Sequence, residues 1–270
     1  HLAFPNSCGG MPLSASDAIH AMADTHAAYM SNVTKQKRRA ITGAGTGMSD
    51  ADAIVAAKAL NSDRTSFTQP GIYDFNPKGK MTLYPGYVLA ALLAGMFSGV
   101  NPGTALTNKT IKVRGLERKL RNPTDTDVLI PAGLLCVEDT DEGFKVVQSN
   151  TTWLANSNYN RVEQSVGAAC DFVLRNVQEA VDGVRGKKGT PRTLQEALSR
   201  AETRLKELAV PEPLGPGVLV GDAENPPYRK LTGSIDGDVI RIQYECSPVI
   251  PVNYVLQSAA AVPYSGTASA

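Results

Sequence analysis

At 270 residues, 42% of them hydrophobic and 20% charged, the chain has the composition of a globular protein with ample core rather than of a disordered or fibrous one. Its 27 basic and 26 acidic residues nearly cancel, which leaves no general positive field for nucleic acid or an anionic membrane. The most apolar run, YVLAALLAGMFSG at 87–99, falls short of the roughly 20 residues that a membrane-spanning helix needs.

The elements follow in chain order. Ser14 and Asp17 are spaced as a capping pair ahead of a helix that runs to about Asn32. A basic cluster at 35–39 leads into a short strand at 39–42 and the glycine turn GAGTGMS. Ser49 with Asp52 forms a second capping pair and opens a helix to about Leu60, followed by a strand at 64–67. Helix, strand, turn, helix, strand is the order of an α/β protein. The apolar run after Pro85 reads as a helix whose Ala90, Ala94 and Gly95 suit close packing on a sheet. A strand at 109–113 and a short amphipathic helix around 116–120 come next. Residues 133–138 and 144–148 flank DTDEG as a β-hairpin.

Two long helices follow. The first carries Val162, Val166, Ala169, Val173, Val177 and Ala180, and the second, opened by Thr190 and Pro191, carries Leu194, Leu198, Ala201, Leu205 and Leu208. Both stripes have the three- and four-residue spacing of a buried helix face. In DVIRIQYECS, Ile240, Ile242, Tyr244 and Cys246 alternate with Arg241, Gln243 and Glu245, the period of a half-buried strand. Pro248 and Pro251 interrupt it, and VNYVLQS resumes as a terminal strand suited to an edge or an arm.

Candidate chemistry is sparse. Residues 42–49 come close to the T-G-x-x-x-G-x-G turn with which short-chain dehydrogenases hold a nucleotide cofactor, and Asp63 lies at a fitting distance from Gly43. Against this, Ser49 stands where a glycine belongs, the preceding strand is not a Val/Ile run, and no tyrosine has a lysine four residues on. A nucleotide-binding oxidoreductase using Gly43, Gly45 and Gly47 is kept as the alternative.

Asp17, His20 and Asp24 share a helix face, but only His1 and His26 supply further imidazoles, so a solvated face is expected rather than a metal site. Asp139 and Asp141 begin like a calcium loop, yet Asn150 stands at the position of the bidentate Glu. That hairpin tip reads as acidic and facing solvent or a partner, and the clusters at 35–39 and 187–188 as basic and likewise exposed. Cys8, Cys136, Cys170 and Cys246 show no paired spacing and are expected as reduced, mostly buried thiols. No G-x-S-x-G elbow and no Walker lysine motif is present. No catalytic residue, cofactor or metal is therefore expected.

The order of segments is more informative than any motif. YPGYVLAALLAGMFSGVNPG, then ALTNKTIKVRGLERKL, then DTDVLIPAGLLCVEDTDEGFKVVQSNTTW resemble the contractile tail sheath proteins of phages and related injection machines. NYNRVEQSVGAACDFVLRNVQEAVDG and GDVIRIQYECSPVIPVNYVLQSAAAVPY continue the resemblance, which covers most of residues 11–264. The hairpin return at 148–153 departs from the commoner W-G-x-R-T form. The chain opens on His1 rather than Met and without a leader-like segment, and reads as the C-terminal part of a longer protein.

The resemblance implies a structural subunit of a helical tube around an inner tail tube, in contact with baseplate and tail terminator. It implies contraction that drives the tube through a host envelope, a place in the virion tail and assembly in the host cytoplasm. No direct nucleic-acid contact and no membrane insertion go with it. It also implies terminal arms that add strands to neighbouring subunits, with Val252, Tyr254 and Leu256 as the side chains entering the receiving sheet. The expected fold is α/β, a mixed sheet flanked by helices, with a smaller α+β C-terminal domain and a terminal strand or arm. Its expected divisions are 1–130, 131–247 and 248–270.

Overall fold

A computed structural model describes residues 2–3, 13–255 and 257–259. Its first strand, β1 (Leu2–Ala3), is followed by α1 (Leu13–Asn32), β2 (Ala40–Gly43) and α2 (Asp50–Leu60). α1 starts with Leu13, so Ser14 lies inside its first turn and does not precede it as expected. The second capping pair forms: the Ser49 hydroxyl accepts from the Asp52 N–H at 3.2 Å and donates to the Asp52 carboxylate at 2.6 Å. Next come β3 (Thr65–Gln69), β4 (Ile72–Phe75), β5 (Met81–Tyr84) and α3 (Gly86–Ser98).

The middle of the chain holds β6 (Thr110–Ile111), β7 (Gly115–Leu116), α4 (Thr126–Leu129), β8 (Leu134–Thr140) and β9 (Gly143–Val146). The helix expected around 116–120 is absent. Gly115 and Leu116 pair with β4, and the Glu117 N–H donates to the Gly71 carbonyl at 2.8 Å. Tertiary pairing overrides the local helical pattern there.

The main sheet has the order β1-β2-β3-β8-β9-β6, parallel from β1 to β8 and antiparallel through β9 and β6. Alternation along β8 places its two faces in different cores. Leu135 and Val137 pack with Ile41, Leu89 and Leu93 on the α3 side. Leu134 and Cys136 pack with Ala53, Ala57 and Phe67 on the α2 side. This is a mixed sheet with helices on both faces. β3 and β8, hydrogen-bonded neighbours within it, lie on either side of the division expected at 130/131. A separate antiparallel sheet has the order β5-β4-β7.

Helix α3 meets the sheet as closely as its small residues permit, but not through Gly95, which is exposed with open space around it. The close approach is between Gly43 and Gly86. A Cβ on Gly43 would overlap the Gly86 carbonyl, and the Tyr87 N–H reaches over it to donate to the Ala44 carbonyl at 3.2 Å.

The last part comprises α5 (Tyr159–Val162), α6 (Gln164–Asp182), α7 (Pro191–Leu208), β10 (Tyr228–Asp236) and β11 (Val239–Cys246). Val166, Ala169, Val173 and Val177 of α6 are buried, and so are Ala201, Leu205 and Leu208 of α7. Leu194 and Leu198 are only half-buried. They lie against Gly233 of β10, so the hairpin forms a lid over the first half of α7. The strand at 239–246 alternates as the sequence pattern requires.

Candidate assembly interface

The glycine turn is the first candidate site. One of its backbone donors is already engaged: the Gly47 N–H donates to Glu117 Oε1 at 2.9 Å, while Glu117 Oε2 accepts from the Gly71 N–H at 3.0 Å. A carboxylate from the same chain thus takes a backbone donor of the kind that a dehydrogenase turn offers to pyrophosphate. With Gly43 sealed beneath Gly86, this is a packed strand-to-helix connection.

The solvated face expected for Asp17, His20 and Asp24 does not form at its centre, because His20 turns inward against the sheet. The His20 ring is buried, meets Phe67 edge-on at 5.1 Å, and is pulled below the usual imidazole range by its burial, with Asp17 opposing. Asp24 accepts from the Thr65 hydroxyl at 2.8 Å. Among the described residues no cluster of three or more His, Cys, Asp or Glu could hold a metal ion. Cys136 is buried, Cys170 and Cys246 are half-buried, and all three are free thiols; Cys8 lies outside the described residues.

A buried ionic junction ties the sheet to α6. Arg39 Nε donates to Asp171 Oδ2 at 3.0 Å, Arg64 Nη1 donates to the same oxygen at 2.5 Å, and Arg39 Nη1 reaches the Asp63 carbonyl at 2.7 Å. Burial pulls the Arg39 guanidinium down from its ordinary value, and Asp171 opposes this. Sequence reading placed residues 35–39 on the surface. Arg39 is the exception, because it directly precedes β2 and points under α6.

The C-terminal region carries the open surfaces. β10 and β11 form a two-stranded sheet, and among the described residues both outer edges are unpaired. An unpaired strand edge is a template for another strand. The hairpin turns on Gly237 and Asp238, with Gly237 at φ +60°, the geometry of a tight two-residue loop. The Asp236-Gly237 pair is the signal by which sequence reading could have found β10.

Beyond β11 the chain turns back across its own subunit. Leu219 and Pro248 form an antiparallel bridge, and the Val249 N–H donates to the Val218 carbonyl at 2.9 Å. The strand expected in VNYVLQS is not formed over 252–255. Side chains, not a backbone ladder, fix this stretch. Asn253 Nδ2 donates to Glu163 Oε2 at 3.1 Å, Asn253 Oδ1 accepts from the Thr107 hydroxyl at 3.1 Å, and the Tyr254 hydroxyl donates to Gln148 Oε1 at 3.1 Å. Glu163 is fully buried, and burial pushes its carboxyl up to about 7 against the hydrogen bonds from Asn253, Ser165 and Gln148. Val252 and Tyr254 are 78% and 70% exposed. Leu256 lies outside the described residues.

This architecture has known counterparts. No protein-family model matches the chain. It is 31% identical over 257 residues to the tail sheath protein of Bacillus phage SP01, a match covering 94% of this chain and 43% of that protein. Its fold matches the helical sheath of the anti-feeding prophage in its contracted state with a TM-score of 0.67 at 14% identity, covering 90% of this chain and 66% of that one. It also matches the contracted sheath complex of an extracellular contractile injection system, PVC, with a TM-score of 0.63 at 14% identity, covering 82% and 63%. Along nearly its whole length the chain is similar to a phage tail sheath protein, and its fold is that of contractile sheath subunits. It spans less than half the length of the Bacillus phage relative.

Proposed function

We propose that this chain is part of a structural subunit that polymerises into a helical sheath around an inner tail tube and contracts to drive that tube through a host envelope. The observation that carries this reading is the identity to a phage tail sheath protein across nearly the whole chain. Its place is the virion tail, with assembly in the host cytoplasm. Its partners are other sheath subunits, the inner tube, the baseplate and the tail terminator. No catalytic group is assigned, and the oxidoreductase alternative finds its glycine turn closed by Glu117.

The C-terminal segment acts as an arm that adds a strand to a neighbour. The free edges of the β10–β11 sheet fit the receiving role. Val252, Tyr254 and Leu256 enter the contact, the first two being exposed on the isolated subunit. Each main-chain hydrogen bond gained contributes about 0.5–1.5 kcal/mol. Such links keep subunits joined while their bodies shift between an extended and a contracted lattice.

Sedimentation of the full chain beside a version ending at Ser247 tests this. Pelletable assemblies from the full chain alone support sheath and arm together. Assemblies from both versions retain the sheath and remove the arm.

A further inference from the structure

Two charged features of opposite sign lie open on the surface. The first is an open cleft of about 300 Å³ between the 37–39 segment, the end of α3 and the middle of α6. Lys37, Arg38, Arg39 and Arg175 line it, and Asp171 is the one carboxylate in its wall. Asp171 is already shared by Arg39 and Arg64. Among the described residues, Lys37 and Arg175 have no ion-pair partner. Burial and the nearby cations Arg64, Lys35 and Arg39 pull the Lys37 ammonium below its ordinary value, with Asp171 opposing. A depression alongside adds Lys35 with Glu179 and Asp182, and Asp182 is held by Arg185 at 3.0 Å. The cleft is short of negative charge, and unpaired charge in a partly dry wall favours an incoming counter-charge.

The second is the tip of the β8–β9 hairpin. Asp139 is paired with Lys119 and Glu142 with Lys145, both at 2.5 Å. Asp141 between them is exposed and, among the described residues, has no partner.

We propose that the Asp141 hairpin tip of one copy docks into the Lys37–Arg175 cleft of another. This rests on the sheath reading and names a contact within that assembly. A narrow turn bearing one free carboxylate suits a cleft of this size, whereas a nucleic acid would require an extended basic track and stacking aromatics. Phe97, Val100 and Phe172 give the cleft apolar walls in which the ion pair is shielded from water. Because the two patches differ, the contact is heterologous. Repeated from copy to copy it builds an open array rather than a closed dimer.

Sedimentation velocity at low and high salt tests this with Arg175→Glu, Asp141→Lys and the two combined. Both positions are exposed, so folding is retained, and a thermal melt of each variant checks it. Each single variant should weaken self-association about 10-fold or more, and the combined variant, with the pair inverted, should recover most of the loss. Wild-type association should also weaken with added salt. Single variants that associate like the wild type, or a combined variant as weak as both losses together, overturn the contact and leave the sheath reading standing. A wild-type chain that stays monomeric at every concentration removes the sheath reading and this contact with it.

Discussion

Asn253 donates to the buried carboxylate of Glu163 at 3.1 Å across 90 positions of sequence, and this bond holds the C-terminal segment to its own subunit. Glu163 faces Asn253, Ser165 and Gln148, all neutral, and its carboxyl is pushed up to about 7 by burial. A carboxyl whose folded value lies above its unfolded value favours the folded state at low pH, and that contribution is lost as pH rises through the folded value. The window runs from about 4.5 to about 7, and the cost at the alkaline end is on the order of 3 kcal/mol. Glu163→Gln keeps the acceptor for Asn253 and removes the charge. It should melt higher than the parent at pH 8 and show a flatter stability profile between pH 4.5 and 7. Parallel pH profiles for the two proteins would refute this role.

The Arg39–Asp171–Arg64 junction joins β2, the approach to β3, and α6. Asp171→Asn preserves the shape and leaves two guanidiniums, one of them fully buried, without their shared counter-charge. Removing one partner of a buried ion pair costs about 3–5 kcal/mol. Urea unfolding should show a loss of that size. A change within about 0.5 kcal/mol, typical of surface positions, would contradict the assignment.

Gly43→Ala tests the close approach of α3. The added Cβ would overlap the Gly86 carbonyl and sit 2.6 Å from the Tyr87 nitrogen. These are backbone atoms, and they move only if the helix moves. A loss of about 1–3 kcal/mol is expected. Gly45→Ala in the same turn meets nothing within 4 Å and should leave stability near that of the parent. Equal effects at the two positions would sink this explanation.

Ser49→Ala removes the cap of α2 and should cost about 1 kcal/mol, read from the denaturation midpoint. An unchanged midpoint would mean that the Ser49 hydroxyl does not support the helix start.

What was legible in the sequence was local. The Ser49–Asp52 and Thr190–Pro191 signals mark helix starts through bonds made within one turn. The alternation from Val239 to Cys246 reports one buried face. What was missed depends on distant partners. β4 and β7 pair across about 40 positions, and that pairing turned an expected helix at 116–120 into a strand end anchored by Glu117. β10 was hidden because Arg229, Lys230 and Gly233 dilute its alternation. The path of the C-terminal segment was hidden for the same reason. Val252 and Tyr254 stand exposed, and the buried carboxylate that holds Asn253 between them, Glu163, carries no local mark of burial.

Negative-stain electron microscopy of the concentrated chain tests the central claim most directly. Hollow helical tubes are the predicted result, and they should be lost from a version ending at Ser247. Discrete particles at every concentration, stabilised against heat by a nicotinamide cofactor, would contradict the sheath account and restore the oxidoreductase reading of the glycine turn.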